Sequence, residues 1–119
     1  MLKVYVYDKC DTCRKALKFL RARGVEFREI PIRETPPSEK ELRAVLAAQG
    51  GDLRRLFNTS GRDYRALGLK DQLPGIKPAE ALALLAANGN LIRRPFAIGP
   101  GVGLVGFEEA VWKRALMPE

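Results

Sequence analysis

Cys10 and Cys13, the only two cysteines of the chain, are the residues best placed for chemistry. A thiolate is a good nucleophile, and a second thiol three residues on lies almost one helical turn away, close enough to resolve a mixed disulfide. The segment Cys10-Asp11-Thr12-Cys13 falls between a strand-like run ending at Tyr7 and a helix-like run that begins at Thr12. A sulfur at a helix start meets free backbone N–H groups and the positive end of the helix dipole, and Lys9 and Arg14 add positive charge beside it. These features predict Cys10 as the attacking sulfur and Cys13 as the resolving one. The plainer alternative is a pair of small buried residues.

Several other chemistries are excluded by what is missing. The sequence has no histidine, which removes Ser-His-Asp and Cys-His catalysis, histidine metal ligation and a histidine pH switch. Two cysteines cannot complete a four-ligand zinc site, so no metal is expected. A phosphatase-type loop needs an arginine six positions after its nucleophile, and Ala16 stands there. Gly101-Val102-Gly103-Leu104-Val105-Gly106 spells a dinucleotide fingerprint, but the helix, strand and acidic residue that must follow do not fit before Glu119. A glycine-rich hairpin explains that segment better, and no bound cofactor is expected.

Arg93-Arg94-Pro95 is the second feature with chemical content. Fixed guanidinium donors beside a thiolate would favour its charge and could hold an oxyanion or carboxylate bidentately. The competing reading is two exposed arginines at a strand edge. Pro95 is a candidate for a cis peptide bond.

The elements that must position these residues follow from periodicity. Leu2, Val4 and Val6 alternate with Tyr5 and Tyr7, predicting a strand over 2–7 with both faces at least partly covered. Ala16, Leu17, Phe19 and Leu20 recur at helical spacing over 12–23, and Gly24 ends that helix. A second strand is predicted over 25–32. Ser38 and Glu41 form a capping box for a helix over about 38–49, which Gly50-Gly51 closes. Asp52 caps a short helix through Phe57, Asn58-Thr59-Ser60-Gly61 is a turn, and a further short segment ends at Gly68. Pro78 opens a helix that buries Leu82, Leu84 and Leu85 and stops near Asn88-Gly89. Residues 96–98 and 104–105 flank the loop 99–103 as two short antiparallel strands, and 107–116 is a closing helix. The order is β-α-β, a helical insertion at about 36–90, then β-β-α: one α/β domain over 1–119, with a thioredoxin-like fold.

The chain of 119 residues is 46% hydrophobic, enough for one core and too short for two. No run reaches the roughly 18 to 20 apolar residues of a membrane span, and the first residues lack the sections of a signal peptide, so a cytoplasmic protein without membrane contact is expected. The net charge of +7 suits an anionic partner, but Lys and Arg are spread along the chain rather than gathered into a nucleic-acid arm. A solvated basic surface, no direct nucleic-acid binding and a monomer are the corresponding expectations.

From Tyr7-Asp8-Lys9-Cys10-Asp11-Thr12-Cys13-Arg14-Lys15-Ala16, through Leu91-Ile92-Arg93-Arg94-Pro95, to Val105-Gly106-Phe107, the sequence resembles the arsenate reductase (ArsC)/Spx family. Asn58-Thr59-Ser60-Gly61 followed by Tyr64 to Asp71 looks like a branch often labelled arsenate-reductase-like. In the family's arsenate reductases a cysteine matching Cys10 attacks arsenate, glutathione and glutaredoxin complete the reduction, and three arginines hold the oxyanion. Arg94 matches one of these arginines, Asn58 falls at a second position, and the third finds no arginine between Gly103 and Phe107. The Spx-like regulators carry C-x-x-C as a redox switch and bind the C-terminal domain of the RNA polymerase α subunit. Cys10, Cys13 and Arg94 match that switch, while Ser60 stands at a second characteristic arginine position and Gly51 or Asp52 aligns only approximately with the glycine of the polymerase contact. The resemblance implies a thiol-disulfide redox protein with Cys10, Cys13 and Arg94 catalytic and Lys9, Asn58, Ser60 and Arg93 on the substrate side. Its partner would be a protein or small-molecule thiol or disulfide, glutathione or glutaredoxin among them, or the polymerase α subunit.

Overall fold

A computed structural model describes residues 1–117; the last two positions of the 1–119 span lie outside the described residues. The strands are β1 (Leu2–Val6), β2 (Phe27–Pro31), β3 (Phe96–Gly99) and β4 (Val102–Val105), and the helices are α1 (Asp11–Ala22), α2 (Glu39–Ala48), α3 (Arg62–Ala66), α4 (Leu69–Gln72), α5 (Pro78–Ala87) and α6 (Glu109–Leu116). Short 3-10 turns at Leu53–Leu56, Leu73–Gly75 and Gly89–Leu91 complete the helical stretch between β2 and β3. The sheet order is β2-β1-β3-β4. Strand β1 pairs parallel with β2, Leu2 opposite Phe27, and antiparallel with β3, Tyr5 opposite Phe96; β3 and β4 form a hairpin.

The strand period of two divides the core between the faces of this mixed sheet. Leu2, Val4 and Val6 face a cluster with Ala16, Leu20 and Trp112, so α1 and α6 cover that side. Tyr5, Ile30 and Phe96 face Leu42, Leu82 and Leu85, so α2 and α5 cover the other. The central position of β1 accounts for its near-continuous apolar run. Strand β2 is an edge, and among its five residues only Ile30 is buried.

Three boundaries in the strands and the closing helix differ from the sequence reading by two residues, the others there by no more than one. The second strand begins at Phe27, not Val25, because Gly24 takes φ 67° and the Val25 N–H closes back on the Leu20 carbonyl at 3.1 Å. The closing helix begins at Glu109, because Phe107 packs edge-on between Phe19 and Trp112 at ring separations of 5.5 and 5.3 Å. The hairpin loop shrinks from 99–103 to Pro100-Gly101. Gly103 sits within β4 where α2 presses on it: a Cβ there would lie 2.8 Å from the Ala48 Cβ and 3.2 Å from the Val45 Cα. That glycine serves close approach rather than a turn. Leu84 is half-buried, and Ala81 joins Leu82 and Leu85 in the core instead. The Arg94–Pro95 peptide bond is cis, as anticipated.

Candidate functional site

Cys10 is the N-cap of α1. Its backbone is extended, and its Sγ accepts the Cys13 N–H at 3.2 Å, the place that a serine or aspartate oxygen usually takes at a helix start. The Cys10 N–H in turn donates to the Tyr7 carbonyl at 3.2 Å, which anchors the turn to the end of β1. Arg14 pairs with Asp11 and donates to the Asp8 carbonyl, so it braces the loop on its outer side. Cys10 is partly exposed and Cys13 is buried at 1% exposure, and both are free thiols. One sulfur is therefore open to solvent while the other lies beneath the surface.

Burial, reinforced by a hydrogen bond to the Cys10 sulfur and by that sulfur's charge, pushes the Cys13 thiol up to about 12; the Tyr7 backbone and the Arg94 guanidinium act in the opposite sense. Arg94 thus reaches the cysteine pair electrostatically. Its guanidinium carbon stands 4.9 Å from the centre of the Tyr7 ring, and that of Arg33 stands 4.8 Å from the same ring. Both arginines line a pocket of about 190 Å³ with Tyr7 and Asn58. Arg62, Asp63 and Asn90 close its far wall.

Two long-range contacts assemble this pocket. An isolated antiparallel bridge joins Phe57 to Ile92, with the Asn58 N–H on the Leu91 carbonyl and the Arg93 N–H on the Leu56 carbonyl, each at 2.8 Å. It sets Asn58 beside the Arg94 segment. Gly89 lies so close to Ile32 that an added Cβ would stand 2.0 Å from the Ile32 carbonyl oxygen. That approach brings Asn90 and Arg33 to the same rim. Asp63 is fixed by the Asn88 and Asn90 amides, which donate to its Oδ2 at 3.0 and 3.3 Å and hold its carboxyl below the ordinary range.

Of the residues singled out in the sequence, Cys10, Cys13, Arg94 and Asn58 come together around Tyr7. Arg93 diverges from its neighbour, its side-chain carbons packing 3.4 Å from where a Gly106 Cβ would sit. Ser60 is exposed and its carbonyl accepts Arg65 Nη1 at 2.9 Å, while Lys9 is exposed in the turn before α1. Arg33, Arg62, Asp63 and Asn90 were not anticipated; nothing in their local sequence separates them from other surface charges and amides. Tyr7 was read only as a strand-face residue. Among the described residues no group of three or more potential metal ligands gathers, and no helix is long and apolar enough to cross a membrane.

Comparison with known proteins places this geometry. The ArsC family pattern matches residues 5–115. The Bacillus subtilis protein YusI is 48% identical over 108 residues, covering 91% of this chain and 92% of its own. An arsenate reductase of Rhizobium meliloti is 33% identical over 82% of this chain and 68% of its own, and the global transcriptional regulator Spx of Enterococcus faecalis is 31% identical over 98% and 86%. The crystal structure of an ArsC family related protein from Bacteroides fragilis superposes with a TM-score of 0.90 at 35% identity, over 96% of each chain. The α/β architecture is accordingly thioredoxin-like, and the chain belongs to the ArsC family.

Proposed function

We propose that this protein is a thiol-disulfide oxidoreductase in which Cys10 is the nucleophile and Cys13 the resolving thiol. The observation that carries the reading is the pair itself: a partly exposed sulfur that caps α1 by accepting the Cys13 N–H, with the Cys13 thiol buried. The Cys10 thiolate attacks one sulfur of a substrate disulfide; that S–S bond breaks, a mixed disulfide forms, and the first substrate thiolate leaves. Formation of the mixed disulfide removes the Cys10 charge, one of the influences that with burial raise the Cys13 thiol. Cys13 then loses its proton and attacks the Cys10 sulfur, releasing the second thiolate and closing the Cys10–Cys13 disulfide. The protein gives two electrons to the substrate, and two equivalents of an external thiol return them, leaving as a disulfide. Arg94 stabilises the anionic forms along the way.

Mass spectrometry of single variants with a disulfide substrate tests these roles. Cys13→Ser should accumulate a mixed disulfide on Cys10, and Cys10→Ser should not; an adduct on neither variant sinks the assignment. Equilibration of the wild type with thiol buffers should give a reversible disulfide with a reduction potential between roughly −300 and −180 mV. If no intramolecular disulfide forms, Cys13 is a bystander and a one-cysteine, glutathione-dependent reductase replaces this reading.

The similarity to Spx over 98% of the chain supports a second reading, a redox-sensing regulator that binds the C-terminal domain of the RNA polymerase α subunit. A pull-down with that domain under oxidising and reducing conditions decides it: no retention in either state removes it.

A further inference from the structure

The pocket beside Tyr7 has a charge pattern that an inorganic oxyanion does not need. Its lining carries three arginines, Arg33, Arg62 and Arg94, and one carboxylate, that of Asp63. Among the described residues none of the three arginines has an acidic side chain within ion-pair distance, so their positive charge is uncompensated at close range. Asp63 is ionised and held in place, and both of its amide donors fall on Oδ2, which leaves Oδ1 without a donor among the described residues. A bare phosphate or arsenate would gain from the arginines and be repelled by that carboxylate. A group carrying both a carboxylate and an ammonium matches both signs. The volume, about 190 Å³, is that of a few water molecules and admits an end group rather than a whole peptide.

Location adds the second half. Tyr7 forms one wall through its ring and accepts the Cys10 N–H on its carbonyl, so the pocket is one residue's width from the nucleophile's loop. We infer that this pocket takes the α-amino-acid end of a small thiol or disulfide substrate, its carboxylate on Arg33, Arg62 and Arg94 and its ammonium on Asp63, with the substrate sulfur directed at Cys10. The inference rests on the thiol-disulfide reading for its chemistry, but not for its binding site.

Binding and exchange are therefore measured separately. S-methylglutathione carries a γ-glutamyl α-amino-acid end and cannot exchange; calorimetry with the reduced full-length protein should show it bound. Arg33→Gln and Asp63→Asn should each weaken binding by about tenfold or more, the loss of one charge-assisted contact. N-acetylation of the ligand's amine should weaken its binding to the wild type by a similar factor, and Asp63→Asn should then make little further difference. Arg33, Arg62 and Asp63 lie at the surface, and circular dichroism verifies that the variants fold. In the exchange assay, the preference of the wild type for glutathione disulfide over 2-hydroxyethyl disulfide should fall about tenfold in Asp63→Asn. No binding of S-methylglutathione, or tighter binding of inorganic phosphate that Asp63→Asn strengthens, overturns the subsite. Binding that follows the predicted pattern without any exchange leaves the subsite standing and removes the oxidoreductase instead.

Discussion

Cys13 should be the slow thiol of the pair by a margin that the structure lets one work out. Its value rises from 9.0 to about 12, chiefly through burial. Three pH units lower the thiolate fraction at neutral pH about a thousandfold. A more basic thiolate is intrinsically more nucleophilic, and a Brønsted coefficient near 0.4–0.5 returns about fifteen- to thirtyfold, leaving a net slowing of roughly thirty- to sixtyfold relative to an ordinary thiol. Exclusion of the reagent by burial adds to this. Pulsed iodoacetamide labelling of the reduced protein, read by peptide mass spectrometry, should therefore modify Cys10 first. The Cys13 rate should climb about tenfold per pH unit through pH 10, where an ordinary thiol has begun to level off. In Cys10→Ala the hydrogen bond and charge of Cys10 are gone but burial remains, so Cys13 should recover part of its reactivity and still lag the same thiol in the urea-unfolded chain. Labelling of native Cys13 at the unfolded rate, or a profile that levels near pH 9, would refute this account. Full recovery in Cys10→Ala would show that the neighbouring sulfur, and not burial, dominates.

Three further outcomes test the scaffold. Burial alone would raise Glu41, but the hydrogen bonds from Tyr5 at 2.6 Å and Lys3 at 3.0 Å outweigh it and hold its carboxyl below 4.5; this stabilisation is present above the unfolded value and is lost as pH falls through the folded one, so Glu41→Gln should flatten the decline in urea midpoint below about pH 4.5. Gly103→Ala should cost about 1–3 kcal/mol in urea unfolding by forcing α2 off β4, and adding Ala48→Gly should restore part of it, since the closest clash is between those two side chains. Gly89→Ala should cost about 3 kcal/mol, its Cβ meeting backbone rather than a movable side chain, and should also weaken S-methylglutathione binding by separating Asn90 from Arg33; unchanged stability in that variant would mean the Ile32 contact is not as tight as described.

The cysteine site was legible because it is contiguous. The nine residues from Val6 to Arg14 carry the end of β1, the turn and the first turn of α1, and strand, helix and C-x-x-C signals meet in that window. The arginine pocket was not, because its walls come from four separated segments, and the contacts that gather them, Gly89 on Ile32 and Phe57 with Ile92, have no local signature. Arg33 and Arg62 look like any of the 21 Lys and Arg in the sequence, and adjacency could not show that Arg93 turns towards Gly106 while its neighbour turns towards Tyr7. The hairpin was found, but its loop was read too long for a related reason: a glycine needed for helix-on-strand approach has the same letter as one needed for a turn.

That division has a functional consequence. On the proposed reading, attack by Cys10 depends on the local N-cap arrangement at the start of α1. The proposed subsite beside it is built from Asn58, Arg62, Asp63 and Asn90, all supplied by the helical stretch between β2 and β3, together with Arg33 just after β2 and Arg94 just before β3. Substitutions in the helical stretch should accordingly change the substrate while leaving the thiol chemistry in place. Such a separation would let one scaffold serve relatives that bear names as different as arsenate reductase and transcriptional regulator.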